Sequence, residues 1–572
     1  MSATDDNWEV NHEQLDDLRR GRGPIEQHVI DELLAGRLSR RDFLRRGSAV
    51  GLSATVLGRI LEAGGFPTIR TSSSATASRA KAGVTIKAGI LVPAGAINPV
   101  TIADEGGFEL IGNVGEYLVL ADDKANYQPW LATSWKPNST GTVWTFKIRQ
   151  GVKFNDGTPM TVDDVVYSFK YHANPKNGSN ALSVFSGTLL PEGVVKVDDS
   201  TIAFHLEASD GGFPDAVSSD NYNMIIVPNN YDFANYQKEF VGTGHFKMSS
   251  YTPNVGATYV RNPYYWGKAA LPAEVQWTFY ETETPMVAAL EANQIDTLDQ
   301  FTVATSPQLL NGNYNLINLK SSLHRELSMR TDLPPFTSKY VRQAMGYLLD
   351  RPALVQALFK GYAVVGNDSP FAPIFPTTVA PPTVPQRSQN YAKAKELLAK
   401  GGVSRGFKMT LVTEQRQEMP QLAQYIQQWA SKVGVTIDLT VETPTKYYGS
   451  AVYGKSDWLD GDMSCCDYGA RSVPNVFLEA PLQTHNAATG AGAWNAARFN
   501  NSTYDKLSKQ YVAAVDLSTQ RSLAKQIETL LLDQTPIIYP YFYNFLSASQ
   551  KNVTGVYATS ISQYFLWNAT KS

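Results

Sequence analysis

Asp467 offers a carboxylate in the run Cys466-Asp467-Tyr468-Gly469. Enclosed in a low-dielectric cleft, such a group makes strong, directional charge-assisted hydrogen bonds. At a strand-to-turn junction it can equally bond local backbone. Arg330 is a second candidate, because a guanidinium can grip a ligand carboxylate with two parallel bonds or settle into a surface ion pair. The chain has two cysteines, Cys465 and Cys466. Their adjacency excludes a disulfide framework and a thiolate zinc cluster. They are either buried small apolar residues or a strained vicinal disulfide stiffening the turn that presents Asp467. Signals for catalysis are missing: there is no G-x-S-x-G elbow, H-E-x-x-H or Walker A run. His324-Arg325-Glu326 lacks the second histidine of a zinc motif, and Gly242-Thr243-Gly244 is not followed by the residues of a phosphate loop. Beyond residue 77, His172, His205, His245, His324 and His485 are scattered as surface or satisfied core residues would be. No catalytic residue, metal site or cofactor is expected.

The elements that must position Asp467 are legible nearby. Phe407 to Thr413 reads as a strand. Leu422, Ile426, Trp429 and Val433 recur at helical spacing, Gly434 stops that helix, and Val435 to Glu442 reads as another strand. This strand–helix–strand unit implies a parallel pair with a right-handed crossover, and such folds bind ligands beyond the carboxyl ends of the strands. Further on, Pro536 to Tyr543 is an apolar, aromatic strand that adds Tyr541, Tyr543 and, with Tyr468 and Cys466, further candidates for a cleft wall. Upstream, Trp144, Phe146 and Ile148 alternate with polar residues as in a half-buried strand. Asn155-Asp156-Gly157 supplies a turn. Thr161 with Asp164 caps a helix whose buried stripe is Val162, Val165, Val166 and Phe169.

The bulk numbers set the frame. With 572 residues the chain exceeds a single core, so two or three domains are expected. Net charge is −3, which leaves no basic field for nucleic acid and no polybasic membrane patch. Aromatics reach 11%, enough to fill large cores and also to line a ligand cleft.

Several runs carry a family resemblance. Residues 130 to 169, WLATSWKPNSTGTVWTFKIRQGVKFNDGTPMTVDDVVYSF, resemble the signature of the peptide/nickel family of extracytoplasmic solute-binding proteins, family 5. Glu116 to Val119, Val241 to Lys247, Val260 to Gly267 and the run from Tyr340 to Arg351 are similar to further family segments. The resemblance implies an α/β, periplasmic-binding-protein-like type II fold with two lobes, a hinge and an extra subdomain. It places lobe I at 78–115, 240–322 and 541–572, the extra subdomain at 116–239 and lobe II at 323–540, with hinge crossings near 322 and 541. It further implies a capture subunit that closes on a short peptide and delivers it to an ABC permease and ATPase complex, as a monomer. In peptide-binding members the residue matching Asp467 holds the ligand ammonium. Here the usual second D-P is replaced by Ala470-Arg471, and Arg330 stands where many members have Asn. An oligosaccharide, an opine-like conjugate or a nickel chelate stays open as ligand, as does a sensor or exported enzyme on the same scaffold.

Ser39-Arg40-Arg41-Asp42-Phe43-Leu44 resembles the twin-arginine export motif. A weakly apolar stretch from Gly47 to about Gly65 and a small-residue site, Ala75-Thr76-Ala77, follow it. Residues 1–77 are therefore expected to be a leader read by the twin-arginine translocase through Arg40, Arg41, Phe43 and Leu44. A periplasmic location is expected, without a lipid anchor, since no cysteine lies near the leader.

Overall fold

The computed structural model describes residues 83–572 apart from 124–125, 186, 380–382 and 488–489. Before residue 83 it describes Leu15, Leu18, 24–35, 37–49, Leu52 and 54–63. A seven-stranded sheet organises each of two α/β lobes. In the first lobe the strand Thr85–Leu91 runs parallel to Glu274–Tyr280 on one side and to Thr297–Leu298 on the other. Gly256–Arg261 and Phe246–Thr252 extend the sheet in antiparallel fashion beyond Glu274–Tyr280. Phe545–Gln550 and Tyr314–Leu319 close its other edge. Ile86, Ala88 and Ile90 of the central strand, which share one face, are fully buried.

The second lobe contains the strand–helix–strand unit read from the sequence. Lys408–Glu414 and Thr436–Glu442 pair in parallel over seven residues. The connecting helix, Met419–Ser431, buries Leu422 and Ile426, and Gly434 follows it at φ 84°, a left-handed conformation natural to glycine. Met463–Tyr468 joins this unit to His324–Met329, so the strand that carries Asp467 lies next to the strand that leaves the first lobe. Pro536 to Tyr543 is not one strand. It divides into Ile537–Ile538 and Tyr541–Tyr543, with Pro540 between them unable to donate to a ladder.

A separate four-stranded sheet, in the order Ala132–Pro137, Val143–Ile148, Thr201–Leu206, Leu189–Asp198, elaborates the first lobe. Trp144, Phe146 and Ile148 are buried as their alternation required. Gly157 takes φ 95° in the predicted turn, where the Thr158 N–H donates to Asp156 at 2.8 Å. The helix Val162–Ala173 starts where expected, with the Thr161 N–H donating to the Asp164 carboxylate at 2.5 Å.

The chain crosses between lobes twice, side by side. The first crossing spans residues 320–323, between Tyr314–Leu319 and His324–Met329. The second is Asn544 alone. The strand Tyr541–Tyr543 still pairs with second-lobe strands, so the return lies three residues beyond 541. The two segments are tied together: the Tyr543 N–H donates to the Leu323 carbonyl at 2.9 Å, and Asn544 Nδ2 donates to Asn318 Oδ1 at 2.7 Å.

Ahead of the lobes, helices Pro24–Leu34, Arg40–Ala49 and Ala54–Ala63 share a small apolar cluster containing Leu38, Phe43 and Ile60, which also takes in Leu517 of the second lobe. Arg46 donates to Gln520 at 2.6 Å. The proposed cleavage site at 75–77 and the side chains of Arg40 and Arg41 lie outside the described residues. Among the described residues no helix is long and apolar enough to cross a membrane.

Candidate functional site

A cavity of about 770 Å³ opens between the lobes. The first lobe contributes the start of the helix Glu105–Val114, with Asp104 and Glu105, and the 219–222 and 561–563 segments. The second lobe contributes residues that follow the carboxyl ends of its parallel strands: Arg416 and Gln417 after Lys408–Glu414, and Asp467 to Arg471 at the end of Met463–Tyr468. Aromatic rings from both sides, among them Phe108, Tyr222, Trp458 and Trp494, supply the apolar wall.

Asp467 is on this wall, but it is already engaged. One carboxylate oxygen accepts from Arg325 Nη1 and, at 3.1 Å, from the Tyr543 hydroxyl. The other lies 3.2 Å from Arg416 Nε. Burial pushes the Asp467 carboxyl up, yet the two guanidinium groups outweigh burial and hold it below the usual carboxylate range. Arg325 is fully enclosed. Glu418 takes its Nε and Nη2 at 2.9 and 3.0 Å, Gln417 takes Nη2 at 2.5 Å, and its guanidinium carbon stands 4.4 Å from the centre of the Tyr543 ring. The strand register explains the arrangement: Arg325 sits directly opposite Asp467 in the antiparallel pair. Glu105 faces this cluster from the first lobe, and its carboxyl is raised by burial against the opposing pull of Arg416.

The remaining sequence candidates separate. Cys466 and Tyr468 line the cavity, and the Tyr468 hydroxyl, buried, has no protein partner. Tyr543 lines it as well. Tyr541 does not: it is fully buried behind the wall, with its hydroxyl donating to Glu418 at 2.8 Å. Arg330 is also absent from the wall, because its fork closes on Asp332 at 2.7 and 2.8 Å and it caps the Asp460 carbonyl at 3.0 Å. Of the two readings of Arg330, the local ion pair holds.

Cys465 and Cys466 are both free thiols. They occupy an extended strand in which successive side chains point to opposite faces. Cys465 packs into the main core and Cys466 into the cluster around Trp458, so no vicinal bond stiffens this turn. His324, fully buried, is a satisfied core residue, with Nδ1 2.7 Å from the Ser322 carbonyl and Nε2 3.3 Å from Glu326. Among the described residues no cluster of His, Cys, Asp and Glu could hold a metal ion.

Sequence reasoning missed Arg416, Glu105 and the Trp458–Trp494 wall. Arg416 carried a usable signal, since it stands two residues past the carboxyl end of a parallel strand. The tryptophans carried none, because each reaches the cleft from an irregular or short segment.

The comparisons with known proteins agree with this architecture. The chain is similar to the dipeptide-binding protein DppE of Bacillus subtilis, 26% identical over 483 residues, covering 78% of this chain and 84% of that one. It is likewise similar to the heme-binding protein A of Haemophilus influenzae, 26% identical over 453 residues, covering 72% and 78%. Among solved structures, the Helicobacter pylori periplasmic binding protein DppA in complex with the peptide STSA superposes with a TM-score of 0.71 at 20% identity, over 86% of this chain and 98% of that one. That likeness shows the type II two-lobe fold. Residues 126–486 match the family described as bacterial extracellular solute-binding proteins, family 5, and the chain belongs to that family.

Proposed function

We propose that this protein is the extracytoplasmic substrate-binding subunit of an ABC importer, and that it captures a short peptide between its lobes for delivery to a permease and ATPase complex. The observation that carries the reading is the cavity itself. It lies between two lobes joined by paired crossings, both lobes line it, and its volume of about 770 Å³ falls in the range of small-ligand sites. Aromatic rings suit the side chains of a peptide, and polar groups at the strand ends suit its termini. The dipeptide-, murein peptide- and glutathione-binding relatives support a peptide over a sugar. Binding here is capture rather than catalysis, with the protein acting as a monomer. Export is proposed to follow the twin-arginine route to a periplasmic location, on the strength of the Ser39–Leu44 hexamer.

Mass spectrometry of small molecules released from protein purified out of its native export compartment tests the reading directly. Peptides of a few residues are expected. Small-angle scattering with the recovered ligand should then show a more compact particle, as closure about residues 320–323 and Asn544 shifts the domain equilibrium. Recovery of a sugar or a metal chelate alone, or an unchanged radius at saturation, would overturn it.

A further inference from the structure

The lobes meet at a second place besides the two crossings. Ser209, just after the first-lobe strand Thr201–Leu206, donates from Oγ to the Ala513 carbonyl of the second lobe at 2.8 Å. Gly211 approaches the same segment so closely that an added Cβ would stand 2.7 Å from the Ala514 carbonyl oxygen. Residues 209–212 and 513–515 thus form a seam between bodies that are joined covalently only at the hinge. Any hinge motion must open this seam or slide it.

The helices ahead of the lobes lie over the seam. Leu517 opens the second-lobe helix Leu517–Gln534 and is 2% exposed. Among the described residues, every other buried member of its apolar cluster lies at positions 15–63. Leu523, Ala524 and Ile527 of the same helix pack into a different cluster, inside the second lobe. Leu517 is therefore covered by the leader and not by its own lobe. Polar contacts flank this anchor. Arg46 Nη2 donates to Gln520 Oε1 at 2.6 Å. Glu32, 2% exposed, accepts from Arg37 Nε at 2.6 Å and lies 3.6 Å from Arg521 Nη1, which donates to the Arg37 carbonyl at 2.9 Å. A carboxylate this enclosed needs its cations, so Glu32 ties the leader to Arg521. The helix Arg40–Ala49 also packs on the first-lobe strand Tyr127–Pro129. Its Arg46 lines a small gap at the seam with Tyr127, Gly211 and Gly212 on one side and Asn475 and Gln520 on the other. One leader helix thus touches both lobes.

We propose, resting on the leader reading above, that residues 24–63 are a strap that docks across the seam and holds the lobes together in the precursor, and that removal of the leader frees them. The docking surface is the patch around Leu517, Gln520 and Arg521, and its occupant is this chain's own leader. Contacts to the second lobe and packing on the first are made together only while the seam is shut, so the strap favours that arrangement over the open one. Opening the seam would strip the helix Arg40–Ala49 from one of its two surfaces. Phe43 of the export motif is fully buried in the cluster that covers Leu517. The translocase gains Phe43 only when that cluster opens, and opening it uncovers Leu517. Docking and export are then alternatives, and engagement of the leader releases the lobes.

Hydrogen exchange and single-molecule energy transfer, both without ligand, compare the full precursor with the mature protein of residues 78–572. In the precursor, amides at 127–128, 209–212 and 514–521 should exchange at least tenfold more slowly than in the mature protein. Dyes on Asp199→Cys and Lys408→Cys, exposed positions on different lobes, should report one narrow distance in the precursor and a broader spread in the mature protein. Leu517→Asp should give the precursor the exchange and distances of the mature form, while changing the mature protein's own exchange less than twofold. Arg46→Ala alters the leader alone and should speed exchange at 127–128 and 209–212 of the precursor at least threefold, which keeps the test decisive if Leu517→Asp fails to fold. Equal exchange or equal distance distributions in precursor and mature protein would overturn the strap. Protection confined to 514–521 would overturn it too, since the leader would then sit on the second lobe without joining the two. Either result leaves the leader reading standing, because that depends on export of the variant with Arg40→Lys and Arg41→Lys.

Discussion

Replacing Arg325 with methionine tests the charge network beneath the cleft. Arg325 is wholly enclosed, and Glu418 beside it is 2% exposed. Methionine retains much of the volume but leaves Glu418 with the Tyr541 hydroxyl, and leaves Asp467 with Arg416 and Tyr543. Removing one member of a buried ion pair strands the other charge, which costs about 3–5 kcal/mol. For a unit the size of the second lobe this lowers the melting temperature by roughly 10 °C. The double variant Arg325→Met, Glu418→Gln removes both charges. It should recover about 2 kcal/mol or more of the loss, because the pair as a whole is worth much less than either half alone. Calorimetric unfolding of the wild type, both singles and the double provides the cycle. A single-variant loss under about 1 kcal/mol, or a double variant as unstable as the sum of the singles, would refute the view that Arg325 and Glu418 are held as one compensated unit.

The remaining expectations concern titration, thiols and export. The Glu116 carboxyl is pushed up to about 7 by burial, against the opposing hydrogen bonds of Trp266 and its neighbours. Its folded value lies above its unfolded one, so the folded state holds the proton longer and stability falls as pH rises from about 4.5 to 7. Glu116→Gln should therefore match wild type near pH 4 and exceed it by up to about 3 kcal/mol at pH 8 in urea unfolding; a constant difference across pH would count against this. Cys465, raised to about 12 by burial, and Cys466 should remain reduced in protein from its native compartment. Intact mass after alkylation in denaturant should show two modified thiols, and a species two protons lighter that resists alkylation would contradict the strand geometry. Arg40→Lys with Arg41→Lys should leave precursor inside the cell, and normal export of that variant would end the twin-arginine reading.

Local patterns announced much of this molecule, because they report on forces that act within a few residues. The Trp144–Ile148 alternation, the Thr161 and Asp164 cap and the Gly434 stop are set by strand pleat, helix-end chemistry and a left-handed φ, and the chain shows each where its residues placed it. The parallel pair at 408–442 also followed from spacing alone. Even the fate of Arg330 was partly local, since its partner Asp332 is two residues away. What Asp467 does was decided elsewhere. Its partners come from positions 325, 416 and 543, brought together by an antiparallel register, a strand end and the second crossing. Sequence spacing identifies a carboxylate at a strand end, but the charge state and vacancy of that carboxylate depend on which distant cations the sheet delivers to it. Only the tertiary structure sets that, because register fixes which side chains face each other and burial sets how strongly they act.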